Sequence, residues 1–186
     1  MPRCNYHKTK FDAKYFNQKF CLSDEECIKA FNEWVKEENE KKKAKEWQKE
    51  KKEIKEKLMS KSDYLNLAQK VFNTYIRLRD KNKPCISCGK SLGSTYHAGH
   101  MFSVGAYPNL RFNENNVHGQ CVECNLHKHG NVKEYDLRLQ KCLSNTEYQN
   151  LLLQRNEPLK LSIDEVKDLI KEYKIKINEI KNNEKW

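Results

Sequence analysis

Two short cysteine pairs constrain this chain more than any other feature. Two residues separate Cys85 from Cys88, and two separate Cys121 from Cys124. Pairs at that spacing suit a tetrahedral metal site, and four thiolates close such a site and leave it structural. A secreted chain with eight cysteines would instead suggest a disulfide framework. The first residues, MPRCNYHKTK, lack the apolar region of a signal peptide. No apolar run approaches the roughly 18–20 residues that span a membrane. A soluble, intracellular protein is therefore expected, and there paired cysteines are read as metal ligands, here a structural zinc. The 32 residues between Cys88 and Cys121 exceed what a simple finger needs and leave room for a hairpin and loop clamped at their base.

Composition explains why a clamp is needed. Of the 186 residues, 37% are hydrophobic and 33% charged, against roughly 45–50% and 25% in an average domain. One large, well-filled core is excluded, and a bound metal would contribute folding energy on the order of 10 kcal/mol to a small one. The net charge of +10 favours an anionic partner, nucleic acid or a membrane surface, without choosing between them.

Four segments follow from composition shifts. Residues 1–29 hold Cys4-x2-His7, the aromatic-rich FDAKYFNQKF and Cys21-x5-Cys27. These four soft ligands could close a second zinc site, or they could be free cysteines and a surface histidine. Residues 30–62 form a charged connector. Lys36 to Lys57 contain ten Lys and seven Glu in 22 residues, with no Gly or Pro. Glu37–Lys41, Glu38–Lys42 and Glu53–Lys57 have the order that supports a helix by a few tenths of a kcal/mol per pair. Trp47, Ile54 and Leu58 leave a thin apolar stripe, so the segment reads as an exposed helix or as an arm contacting DNA or another subunit.

Residues 63–143 form the expected core with its leading helix, capped by Ser62 or Asp63. Leu65, Ala68, Phe72, Tyr75 and Ile76 recur at helical spacing, and Arg77 and Arg79 end that helix facing solvent or phosphate. Turn signals at Gly93, Gly99, Gly105 and Pro108 suggest two short strands and a loop within 94–112. CNLHKHGN reads as the start of a helix whose first turns carry ligands. Cys142 stands alone and reads as buried. In residues 144–186, Ser162 to Glu165 form a capping-box pattern. Val166, Leu169, Ile170, Tyr173, Ile177 and Ile180 then make a stripe for packing or for homodimerisation.

Five of the six histidines, His97, His100, His118, His127 and His129, lie between or just after the central cysteine pairs. Hydrolysing a phosphodiester requires deprotonating a water and stabilising charge on the phosphate and on the leaving oxygen. A histidine near its usual pKa of about 6.5 suits the first task, and a divalent cation suits the others. His118 could instead simply hydrogen-bond within the fold, and His129 could be a solvent-exposed neighbour.

The run HAGHMFSVGAYPNLRFNENNVHGQCVECNLHKHGN, with CISCGK before it, resembles the NinG (Rap) recombination endonucleases of lambdoid phages. The wider layout is similar too, so the resemblance covers nearly the whole chain. It implies an α+β fold with a small zinc-stabilised ββα-metal (HNH-like) core flanked by helices. It also implies an endonuclease acting on branched DNA, such as Holliday junctions or D-loops, in the cytoplasm of a bacterial host. On this resemblance His100 activates water, Asn116 orients the loop beside it, and Asn125 falls at the last position of the motif. His97 and His127 join Asn125 around a catalytic Mg or Mn, and Arg111 and Lys128 contact phosphate. One departure stands out: such enzymes commonly carry a metal-binding Asp or His directly before the catalytic histidine, and this chain has Gly99 there. His97 could fill that role from three residues away.

Two other readings compete. A zinc-stabilised DNA-binding accessory protein of recombination needs no cleavage, and an HNH restriction or homing nuclease would prefer a duplex sequence over a branch.

Overall fold

The computed structural model describes residues 1–183. It is mostly helical with one small sheet, and it divides at Leu58 into two compact units. The first unit holds the N-terminal cysteine knuckle and helix α1 (Glu25–Lys57). The helix begins inside the knuckle, not after it. Asp24 caps α1 and accepts a 2.8 Å hydrogen bond from the Cys27 amide, so Cys27 lies in the first turn. Beyond the knuckle the helix has no apolar face to bury. Trp47, Ile54 and Leu58 are exposed, and ion pairs such as Lys41 with Glu37 and Glu38 line its surface.

The second unit begins with α2 (Lys61–Arg79). Its cap is Ser60, not Ser62 or Asp63: the Ser60 hydroxyl accepts from the Asp63 amide and the Asp63 carboxylate accepts from the Ser60 amide. This choice puts an acid at the third helical position, where the reciprocal bond can form. A hairpin follows, with β1 (Tyr96–His100) antiparallel to β2 (Val117–Cys121) and His100 opposite Val117. The second strand therefore lies beyond the expected 94–112 window. Residues 101–116 are instead an irregular loop with one 3₁₀ turn at Pro108–Leu110.

After β2 the chain makes a single wide turn, Glu123–His127, and stops. His129, Gly130 and Asn131 all have positive φ, at 47°, 89° and 42°, so the expected helix breaks. It restarts as α3 (Val132–Cys142), followed by α4 (Asn145–Gln154) and α5 (Ile163–Asn183). Ser162 and Glu165 form the expected reciprocal bonds at the start of α5.

The hairpin is covered on both faces. On one, Ala98 and Val117 pack on Phe72 and Ile76 of α2 and Tyr173 of α5. Val166 and Ile170 of α5 bury against Tyr64 and Ala68, so the apolar stripe offered for dimerisation is taken up within the chain. On the other face, Tyr135 of α3 reaches the sheet, and Leu139 and Leu151 pack with Ile86 and Leu110. Cys142 is exposed, contrary to expectation: it follows the stripe of Tyr135 and Leu139 but is the last residue of α3, past the part of the helix that packs.

Asp80, just after α2, ties the helix to β2. Its carboxylate is 1% exposed as a residue and accepts from Arg79, from Lys83 at 2.8 Å and from the Gly119 amide at 2.9 Å. Arg79 also donates to the carbonyls of Val117 and Glu114, so it is a scaffold residue and not a phosphate contact. Burial alone would raise the Asp80 carboxyl, but Arg79 and Lys83 hold it down at about 2. A depressed carboxyl contributes stability above its unfolded value near 3.9 and loses it as pH falls through the folded value. Asp80→Asn should therefore cost about 2 kcal/mol at pH 7 in paired urea melts. The gap should narrow between about pH 4 and pH 2; a gap that does not move with pH would show the carboxylate charge is not the cause.

Candidate functional site

Each unit carries one tight cluster of metal-ligating side chains. Cys85, Cys88, Cys121 and Cys124 bring their sulfurs within 4.8 Å of one another, and Cys4, His7, Cys21 and Cys27 do the same with three sulfurs and a ring nitrogen. The Cys88–Cys121 sulfurs are 3.8 Å apart, and Cys27 is 3.6 Å from both Cys4 and Cys21. A disulfide needs about 2.05 Å. Four sulfurs held about 2.3 Å from one zinc sit roughly 3.8 Å from each other, so both clusters fit a tetrahedral ion.

The two knuckles are built alike. In the N-terminal one, the Cys4 amide donates to Thr9 O and the Lys8 amide to Cys4 O; in the central one, Cys85 donates to Lys90 O and Gly89 to Cys85 O. The Cys21 amide points at the Cys4 sulfur and the Cys121 amide at the Cys85 sulfur, both at 3.4 Å. Lys8 has φ 59° where Gly89 has 71°, so the first knuckle bears a strained non-glycine residue at its turn. His7 stands where the central knuckle has Cys88. Its Nε2 lies 2.9 Å from Asp24 Oδ2 while Nδ1 faces Cys4 and Cys21. That carboxylate fixes the tautomer with Nδ1 free to ligate. Asp24 is thus both helix cap and orienter of a ligand, a role that no spacing pattern announced.

Electrostatics point the same way. At Cys85 burial is outweighed by the amides of Cys88, Cys121 and Ser87, which hold the thiol at about 7. Burial and the adjoining thiols push Cys124 up to about 12. The backbone accommodates one thiolate, but a fourth needs a cation. Either cluster could therefore hold a metal ion such as zinc.

The histidines are distributed more widely. His97 and Asn125 line one cleft of about 430 Å³ together with Lys70, Asn73, Thr74 and Arg77 of α2. The hairpin brings His97 there, and the turn after β2, anchored by Cys124, brings Asn125. Lys70 and Arg77 are exposed and about two helical turns apart on α2. The signal for Lys70 was present in the sequence, as a polar stripe at helical spacing beside the apolar one.

His100 is not among the residues lining that cleft. It ends β1 on the face opposite His97, half-buried, with Nε2 3.2 Å from the Arg111 carbonyl. A carbonyl only accepts, so the proton belongs on Nε2 and Nδ1 is the basic nitrogen. Burial pushes its pKa below the usual histidine value, and the carbonyls of Arg111 and Ala98 partly offset this. Gly99 has a steric reason to be glycine: a Cβ there would lie 2.2 Å from Gln120 Oε1. A ligand side chain at that position would require Gln120 to move.

Asn116 is fully buried and spans the 101–116 loop. Its side chain donates to Phe102 O and Leu110 O, both at 3.0 Å, and accepts from the Phe102 amide at 2.8 Å. Arg111 is 9% exposed, and its guanidinium donates to Gln69 and to Leu65 O. It anchors the loop to α2, so the expected phosphate contact is not available from it. His118 is held by Tyr135 at 3.1 Å, and burial pushes it down to about 4. It serves the fold. His127 and His129 are exposed, as is Lys128, which reaches Glu123 at 3.7 Å. Among the described residues no helix is long and apolar enough to cross a membrane.

A family model described as Bacteriophage Lambda NinG protein matches residues 1–184. Protein ninG of Escherichia phage lambda is 36% identical over 126 residues, which covers 68% of this chain and 61% of that protein. Protein ninG of Escherichia phage 933W is 32% identical over a 190-residue alignment covering 97% of this chain and 94% of that protein. The chain thus spans less than two thirds of the first relative and nearly all of the second. No solved structure matches the chain significantly.

Proposed function

The chain belongs to the NinG family of lambdoid phages, and from that premise we propose that it is a metal-dependent, HNH-like (ββα-metal) endonuclease cleaving branched DNA during phage recombination in the host cytoplasm. The observation that carries this reading is the cleft that His97 and Asn125 line together with Lys70 and Arg77. Two metal donors and two exposed cations around one cleft make a place for a phosphodiester.

Zinc at the four central cysteines holds β2 and the Asn125 turn, and a second zinc holds the N-terminal knuckle. His97 and Asn125 would hold a divalent ion, Mg or Mn, which when bound stabilises charge on the phosphate and on the leaving 3′-oxygen. Two protein donors suffice, since Mg keeps several waters and takes the remainder of its shell from phosphate. Lys70 and Arg77 place the backbone of the DNA. His100, which shares a strand face with Ala98 of that cleft and is neutral near pH 7, takes the proton from the attacking water, and Asn116 keeps the loop after it in place.

Incubating the protein with a labelled four-way junction and Mg²⁺ or Mn²⁺ tests the reading. Cleavage should require the added metal and fall by roughly 10²–10⁴ in His100→Ala. Junction binding without any cut product under either metal would replace the enzyme by an accessory DNA-binding protein.

A further inference from the structure

The N-terminal knuckle displays aromatic surface in a way its own packing does not require. Of the aromatic side chains in FDAKYFNQKF, Phe20 is buried and packs on Phe31 and Trp34 at ring distances of 5.6 and 5.7 Å. Phe11 borders the same cluster. Tyr15 and Phe16, between them, are 56% and 92% exposed. They are held out by a built turn. Gln18, 7% exposed, accepts from the Lys14 amide and donates to Phe20 O, both at 2.8 Å, and Asn17 takes a left-handed φ of 61°. A buried amide thus pins the base of a turn whose tip is two bare rings. Burying either ring would be worth about 1.5–3 kcal/mol, and the fold forgoes it.

The surroundings are cationic. Lys10, Lys14 and Lys19 are exposed, Arg3 and Lys8 belong to the same knuckle, and Asp12 is the one acid before Asp24. Exposed aromatic rings among cations are what sequence-independent binding of single strands uses: the rings stack on unpaired bases and the cations follow the phosphates. Duplex bases are already stacked on one another and offer the rings nothing.

We propose that the N-terminal knuckle is a second nucleic-acid site, in which Tyr15 and Phe16 stack on unpaired bases of single-stranded DNA and Lys14 and its neighbours contact the backbone. The site stands independently of cleavage, because a protein that bound branched DNA and cut nothing would keep it.

The test is fluorescence anisotropy on the full-length, zinc-loaded chain without added Mg or Mn, so that loss of cleavage cannot affect the result. Binding of labelled oligothymidine is compared with binding of a blunt duplex of equal length. Phe16→Ser and Tyr15→Ser should each weaken oligothymidine binding roughly tenfold and leave duplex binding within about twofold. Lys14→Gln should reduce the salt slope by about 0.7. Zinc content and melting temperature should not change, since both rings are exposed. Wild-type affinity for oligothymidine in the ring variants, or no single-strand binding by the wild type, overturns the proposal. So does a loss on phosphatidylserine vesicles with oligothymidine binding intact, which would make the tip a membrane contact.

Discussion

Cys124→Ser should remove one metal ion per chain and unfold the second unit, while leaving the first unit folded. Cys124 is 1% exposed, and around it only Cys85 and Leu92 are fully buried, bordered by Cys88, Tyr96 and Cys121. The cluster at the ligands is small, and the larger apolar clusters lie beyond it on the two faces of the hairpin. The hairpin they clamp has two strands of five residues; a hairpin of that size is marginal alone, and the helices on its two faces pack on the register that the ligands set. Structural zinc is worth about 10–16 kcal/mol in small domains, whereas whole domains are stable by about 5–15. Losing the metal therefore removes an amount comparable to everything that holds the unit. Serine keeps the shape but supplies no thiolate, and with Cys124 normally pushed up to about 12, a neutral hydroxyl there leaves three sulfurs with an incomplete shell. Native mass spectrometry should fall from two metals to one, and the amide spectrum of the second unit should collapse to random-coil positions. Cys142→Ser, at an exposed site, should change neither. A Cys124→Ser protein with native dispersion and two metals would mean the cluster is not a metal site. Cys27→Ser should reverse the pattern and unfold the first unit alone.

The cysteine clusters were legible because ligand chemistry leaves few alternatives: thiols at x2 spacing, in two pairs, need a tetrahedral ion or a disulfide. The helices were legible from their stripes, and α5 met α2 through the residues its periodicity marks. What escaped the sequence was set by contacts between distant residues. β2 reads VHGQC, with no alternation of apolar residues to announce a strand. Its register is fixed by Cys121 in the cluster and by the Asp80 carboxylate on the Gly119 amide. The turn signals at Gly105 and Pro108 belong to a loop whose order comes from the buried Asn116 side chain, which substitutes for a strand partner. Arg111 in such a loop reads as a phosphate ligand until Gln69 and Leu65, 42 and 46 residues away, are seen to hold it. Cys142 shows the converse: its composition suggested burial, but its place at the end of α3 exposes it. Gly99 looked like a missing ligand and is a position that the Gln120 side chain crowds.

Metal dependence separates the two histidines of β1. His97→Ala should lower junction cleavage by about 100-fold or more at fixed Mn²⁺, and it should also raise the Mn²⁺ concentration needed for half-maximal cleavage. His97→Asp should recover much of the rate, because a carboxylate is itself a good ligand for Mg and Mn. His100→Ala should lose a comparable factor with the metal midpoint unmoved, and no carboxylate should restore it in the same way. The pH profile gives an independent readout. A base must be unprotonated to work, so activity falls as pH drops through the His100 pKa. Burial holds that pKa below the usual histidine value, so the acid limb should lie below about pH 6.5 and should disappear in His100→Ala while persisting in His97→Asp. Lys70→Gln and Arg77→Gln should weaken junction binding and flatten its salt dependence without shifting either limb or the metal midpoint. His97 lines the cleft shared with Asn125, and alternation puts His100 on the strand face of Ala98 and Val117, with Nε2 at the Arg111 carbonyl. If His100→Ala shifts the metal midpoint while His97→Ala leaves it alone, the two roles are exchanged. If neither changes the rate, the cleft is not where the bond is broken.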